Sequence, residues 1–188
     1  MKYFTKARLE AHGVQWDMMM KEIEKMDKLN YVLVDKMIRE SEDQIKGWVA
    51  EYGAYWDIVK STFPENFFFK DITMHDCYIN KTYWAGRDFI MEFDIENGFT
   101  DVYKLIFIRA DVKDFAFNPP MDWQYTELYL KDGRYDIQFL TQHGYNTYQE
   151  NRIVADDVQM ERDPLYWKRR SERAKRSIEE VKRRYSET

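Results

Sequence analysis

Three adjacent residues, His75, Asp76 and Cys77, supply the groups that acid-base and nucleophilic chemistry uses: an imidazole, a carboxylate and a thiol. Adjacency counts against a working triad, because such groups normally assemble from separated segments. In a strand, moreover, His75 and Cys77 would share one face while Asp76 pointed to the other. The expectation is a structural strand position, with no catalytic residue assigned and these three kept as the candidates. Metal chemistry has less support, since His12, His75 and His143 are far apart and no paired-histidine or Cys-x-x-Cys spacing occurs. No metal and no cofactor is expected. Glu92, Asp94 and Glu96 alternate with apolar residues and read as the wet face of a strand.

A better candidate is a recognition surface. Tyr125, Glu127 and Tyr129 alternate along one segment, and Asp136 and Gln138 fall on the same face of the next. Amphipathic aromatics flanked by acceptors suit a protein or peptide partner, unless a helix of the same chain covers them.

The elements that must carry these residues follow from periodicity. Residues 1 to 63 lack proline and space their apolar side chains by three, four and seven. A first helix starts near Thr5, a plausible N-cap. A second continues from the junction at Leu29 to Tyr31, bends or breaks at Gly47 or Gly53, and ends before Pro64. Beyond Pro64 the period becomes two. Phe89, Met91, Phe93 and Ile95 alternate with acids, and Asn97-Gly98 turns the chain into Tyr103, Leu105 and Phe107. A three-residue loop sets Met91 opposite Leu105 and Glu92 opposite Lys104, which is better chemistry than the two-residue alternative. Asp132-Gly133 closes a second hairpin that puts Leu128 and Leu130 on one face with Tyr135, Ile137 and Phe139. With shorter strands around 71–81, 111–117 and 152–160, the middle forms an antiparallel sheet of about six or seven strands.

Asp163-Pro164 opens a last helix, as N-cap and first helical residue. Trp167, Ala174, Ile178, Val181 and Tyr185 form its one apolar seam, expected to dock on the body of the protein. The chain thus reads as a single α+β domain: 1–63 helical, 65–162 β-rich, 163–188 a C-terminal helix.

Charge and cysteine content bound the function. The net charge is -5, and residues 168–188 hold nine Lys or Arg against four Glu, so residues 1–167 carry about -10. An acidic body argues against nucleic acid as partner. The N-terminus lacks a signal peptide's apolar core, no apolar run is long enough for a membrane span, and the lone Cys77 points to a reducing cytoplasm.

Met1-Lys2-Tyr3-Phe4-Thr5-Lys6, the His75-Asp76-Cys77 step, Gly98-Phe99-Thr100-Asp101 and the Tyr129 to Gly133 hairpin together resemble an uncharacterised family of Gram-positive bacterial proteins, a domain of unknown function. The resemblance covers about residues 1 to 160 and implies no activity. The β-rich half is similar, more loosely, to bacterial toxin-immunity proteins, which implies an interaction role. The resulting expectation is a non-enzymatic binding protein, with a small hydrolase working near His75 as the alternative.

Overall fold

The structure is a computed structural model that describes residues 1–25, 31–67, 69, 74–95, 100–113, 115, 121–144 and 147–186. Among the described residues three α-helices, α1 (Lys6–Glu24), α2 (Tyr31–Val59) and α3 (Tyr166–Ser186), flank eight strands. The strands are β1 (Cys77–Ala85), β2 (Asp88–Asp94), β3 (Val102–Ile108), β4 (Asp111–Lys113), β5 (Asp122–Lys131), β6 (Arg134–Gln142), β7 (Tyr148–Ala155) and β8 (Asp157–Arg162). Their order is β4-β7-β6-β5-β1-β2-β3-β8, and every pairing is antiparallel.

That order cannot describe a flat sheet. Six strand spacings, about 29 Å at roughly 4.8 Å each, would separate β7 from β8, yet Asp156 alone joins them. The sheet must therefore curl until its ends meet. Ile108 pairs with Asp157 and Asp111 pairs with Val154, one unbroken register on both sides of the corners at Arg109-Ala110 and Asp156. The Asp156 amide donates to the Ile108 carbonyl at 2.9 Å across the corner. β3 with β4, and β7 with β8, are thus two long strands, each bent once, and the eight pieces form a six-membered closed ring. The seam between β1 and β5 is short, Cys77 opposite Trp123 and Tyr78 opposite Asp122. Beyond that seam β5 meets the helical layer: its Leu128 amide donates to the Tyr52 hydroxyl and its Leu128 carbonyl accepts from the Tyr55 hydroxyl.

The ring encloses the main core. Phe89, Met91, Leu105, Phe107, Trp123, Ile137, Phe139 and Ile153 point inward, and Trp123 stacks on Phe139 with ring centroids 3.9 Å apart. Each such side chain removed from water contributes about 1.5–3 kcal/mol.

Both hairpin registers match the sequence reading. Met91 lies opposite Leu105 and Glu92 opposite Lys104, while the Asn97-Gly98 turn itself lies outside the described residues. The cross-strand ion pair does not form. Lys104 turns instead to Glu161 of β8 at 3.0 Å, and Glu92 accepts from the Tyr83 hydroxyl at 2.9 Å. Lys131 opposite Arg134 makes the Asp132-Gly133 loop two residues long, and both loop residues take the positive φ that this turn needs.

The Thr5 side chain accepts from the Arg8 amide at 3.2 Å, capping α1. α2 runs unbroken through Gly47 and Gly53 for 29 residues, about 43 Å at 1.5 Å per residue. The expected break is absent because each glycine costs only about 1 kcal/mol, less than the packing of the seam at Trp48, Tyr52 and Trp56 restores. The helix junction lies outside the described residues.

α3 departs from expectation. Its first residue, Tyr166, is buried, and the Asp163 amide ties the preceding turn to the Asp101 carbonyl at 2.8 Å. Beyond that turn Trp167, Ser171, Ala174 and Ile178 are all exposed, so the helix does not dock along its seam. The anchored first turn directs the axis off the body, and charge attraction through water, screened within about 8–10 Å, is too weak to draw it back. No helix among the described residues is long and apolar enough to cross a membrane.

Candidate functional site

Three places combine chemistry with position: the outer face of β5 to β7, one end of the barrel, and α3.

The outer face carries all five residues expected to recognise a partner, brought together by the two-residue hairpin: Glu127 opposite Gln138 and Tyr129 opposite Asp136. The chain's own N-terminus and α2 cover them. Glu127 is fully buried, and its Oε1 accepts from the Tyr3 and Phe4 amides while Oε2 accepts from the Lys2 amide and the Tyr129 hydroxyl, all at 2.7 Å. An ionised carboxylate offers about four acceptor sites, so Glu127 is saturated and has no lone pair left for a proton in transit. It is an anchor. Burial, and secondarily the bond to Glu127, push the Tyr129 hydroxyl well above its ordinary value. Burial does the same to Tyr52, whose hydroxyl accepts from the Leu128 amide at 3.1 Å.

The remaining three are likewise engaged. The Tyr125 ring stacks on Phe4 at 4.5 Å and 5°. Asp136 takes both arms of the Arg152 guanidinium, at 2.8 and 2.6 Å, and Gln138 donates to Asp136 at 3.3 Å. That face therefore already holds a peptide, residues 1 to 4 of the same chain. A polar cavity of about 210 Å³ remains beside it, lined by Met1, Gln138, Glu150, Asn151 and Arg152. A carboxylate between Tyr125 and Tyr129, in a strand whose one basic residue is Lys131 at its end, is the kind of signal that marks a buried anchor. The N-terminal amides that satisfy it carry no sequence signature at all.

At the barrel end the sequence reading needs correction. Residues 74–77 form a turn, closed by the Cys77 amide donating to the Met74 carbonyl at 3.2 Å, and the strand begins only at Cys77. Asp76 takes a φ of 59°, which breaks the alternation. His75 and Asp76 consequently meet, Nδ1 to Oδ2 at 2.8 Å, instead of facing apart. Cys77 is the member left out: it is buried in the barrel core, with Sγ donating to the His75 carbonyl at 3.6 Å. Gln124 donates to the other Asp76 oxygen at 3.3 Å, and the Tyr125 ring stands edge-on to His75 at 5.1 Å. Asp122 at the start of β5 completes the group; burial raises its pKa, the Asp76 charge raises it further, and His143 opposes the shift. An imidazole held by a carboxylate, beside a second carboxyl whose pKa burial raises, is a pairing of the kind that exchanges protons with a ligand. Asp122 escaped the sequence reading, and His143 was set aside there as distant from His75, because only the closed ring brings the ends of β5 and β6 next to the turn before β1.

His12 is far from this group, its Nε2 2.8 Å from the Ser41 hydroxyl between α1 and α2. No set of three or more metal-ligating side chains is gathered among the described residues.

Searches against protein-family models, curated proteins and solved structures match nothing to this chain.

Proposed function

We propose that this chain is a non-enzymatic interaction protein that meets its partner through helical surfaces, chiefly α3. The observation that carries the reading is the contrast within one turn of that helix: Tyr166 is 4% exposed and anchors it, whereas Trp167 is 56% exposed. Large apolar side chains in a regular row outside a well-closed body are surface that a partner would cover. The body's charge of about -10 supports the same class of role, including the immunity-like version in which an acidic surface caps a basic protein. A reducing cytoplasm fits a chain whose single cysteine, Cys77, is buried.

The test is affinity capture from the native cell with the full chain, side by side with Ile178→Asp, followed by quantitative mass spectrometry. A partner retained by the wild type and lost by the variant, with unchanged melting, supports the reading. Identical captured sets from both chains would retire α3 as the contact surface.

A second reading is favoured by one observation, the His75–Asp76 contact beside Asp122: a small hydrolase working at the barrel end. Surrogate ester, amide and phosphate substrates decide it. Turnover that disappears in both His75→Ala and Asp122→Asn, with the fold intact, supports the enzyme; no turnover by the wild type removes it.

A further inference from the structure

The apolar seam of α3 is not merely amphipathic. It falls at Trp167, Ser171, Ala174, Ile178, Val181 and Tyr185, spaced four, three, four, three and four. Alternating steps of four and three are the a/d spacing of a coiled-coil seam, and over these five steps they average 3.6 residues per turn. With Trp167, Ala174 and Val181 at d and Ser171, Ile178 and Tyr185 at a, the flanks follow. Position e is Lys168, Lys175 and Lys182; position g is Arg170, Ser177 and Arg184. The three glutamates of the helix, Glu172, Glu179 and Glu180, all fall at b or c, away from the seam. The charges beside the seam are therefore all basic, whereas behind it the three glutamates stand among Arg169, Arg173, Arg176 and Arg183.

Sorting of that kind selects a partner. A parallel copy of α3 would set e against g, an antiparallel copy would set e against e and g against g, and both bring cations together at every flank position but Ser177. A second α3 is thus opposed in either orientation. The seam is open to receive something else, since Trp167 and Ile178 are 56% and 55% exposed and Ser171 and Ala174 are exposed between them.

We propose that α3 is one strand of a heteromeric two-stranded coiled coil, and that its partner is a helix carrying apolar a and d residues with Glu or Asp at e and g. The proposal rests on the interaction reading above and specifies the chemistry of that partner. An anionic membrane or a nucleic acid would also be drawn to the basic flanks, but neither needs glutamate kept out of e and g.

The test uses the full chain and labelled synthetic helices of three heptads, alike at a and d, with either Glu or Lys at every e and g. Anionic phospholipid vesicles and a short duplex DNA serve as rival ligands. The acidic helix should bind about tenfold or more tightly than the basic one, the sum of several favourable flank pairs. Ile178→Asp should abolish that binding. Reversing the flank with Lys168→Glu, Lys175→Glu and Lys182→Glu should move the preference toward the basic helix, which simple loss of folding could not do. Equal affinity for the two helices, or a preference unmoved by flank reversal, overturns the proposal. So does tight binding to vesicles or DNA with none to the acidic helix. If Ile178→Asp still loses a cellular partner in that case, only the coiled-coil chemistry falls; if it loses none, the interaction reading falls with it.

Discussion

The outer face of β5 to β7 and the exposed face of α3 begin from similar material, aromatic side chains among charged ones, and end in opposite states. On the sheet, a buried carboxylate offers several strong acceptor positions, and the first residues of the chain supply amides that fill them. Burial and hydrogen bonding then act together, with Tyr125 stacked on Phe4 while Glu127 holds the backbone beside it. On α3 the charged side chains stand along an exposed helix, with Arg169 paired to Asp163 at its start, and the seam is narrow. Amphipathicity alone therefore does not tell a closed face from an open one. What decides is whether the chain contains a segment able to reach the polar groups and satisfy them.

The comparison breaks most readily at Glu127. Glu127→Ala strands three backbone amides and the Tyr129 hydroxyl, and should destabilise the fold by about 3 kcal/mol. Denaturant unfolding measures this, and a loss under about 1 kcal/mol would mean that the N-terminus is held by packing alone.

Next in size is Arg152→Ala, which leaves Asp136 buried without its bidentate partner. The expected loss is about 2 kcal/mol, since the guanidinium itself is partly exposed. The double variant with Asp136→Asn should recover part of it, and no recovery would show that the arginine acts through its stem.

At the open surface Ile178→Asp should change stability by no more than about 0.5 kcal/mol. A clear drop in melting temperature would place a hidden intramolecular contact there.

The smallest effects concern pH and have opposite signs at two carboxyls. The Tyr103 hydroxyl, and secondarily Lys104, hold Glu161 below the usual carboxylate range. Its contribution is present above that range and lost as pH falls through the lowered value, so Glu161→Gln should flatten the acid side of a stability-pH curve. Asp122 is shifted upward, chiefly by burial, so its ionisation costs the folded state near neutrality. Asp122→Asn should slightly raise the melting temperature at neutral pH and give no gain in acid. A gain that persisted at low pH would point to packing rather than charge.

Local rules carried much of the architecture. The capping of α1 by Thr5, the end of α2 before Pro64, the two-residue turn at Asp132-Gly133 and the pairing of Glu92 with Lys104 each depend on groups close along the chain or on a period within one segment. The count of six or seven strands also stands, once the two bent pairs are taken as single strands. Tertiary structure decided the rest. The meeting of His75 with Asp76 needed a positive φ at residue 76, and the recruitment of Asp122 needed ring closure. Glu127 is satisfied by amides more than 120 residues away, groups that every residue but proline owns and no side chain announces. The exposure of α3 follows from the angle set by its first turn, a property of the anchoring contacts and not of the seam. Sequence determines which surfaces are able to bury themselves; only the folded chain determines which of them find something to bury against, because that depends on groups brought together in space and on the backbone that all residues share.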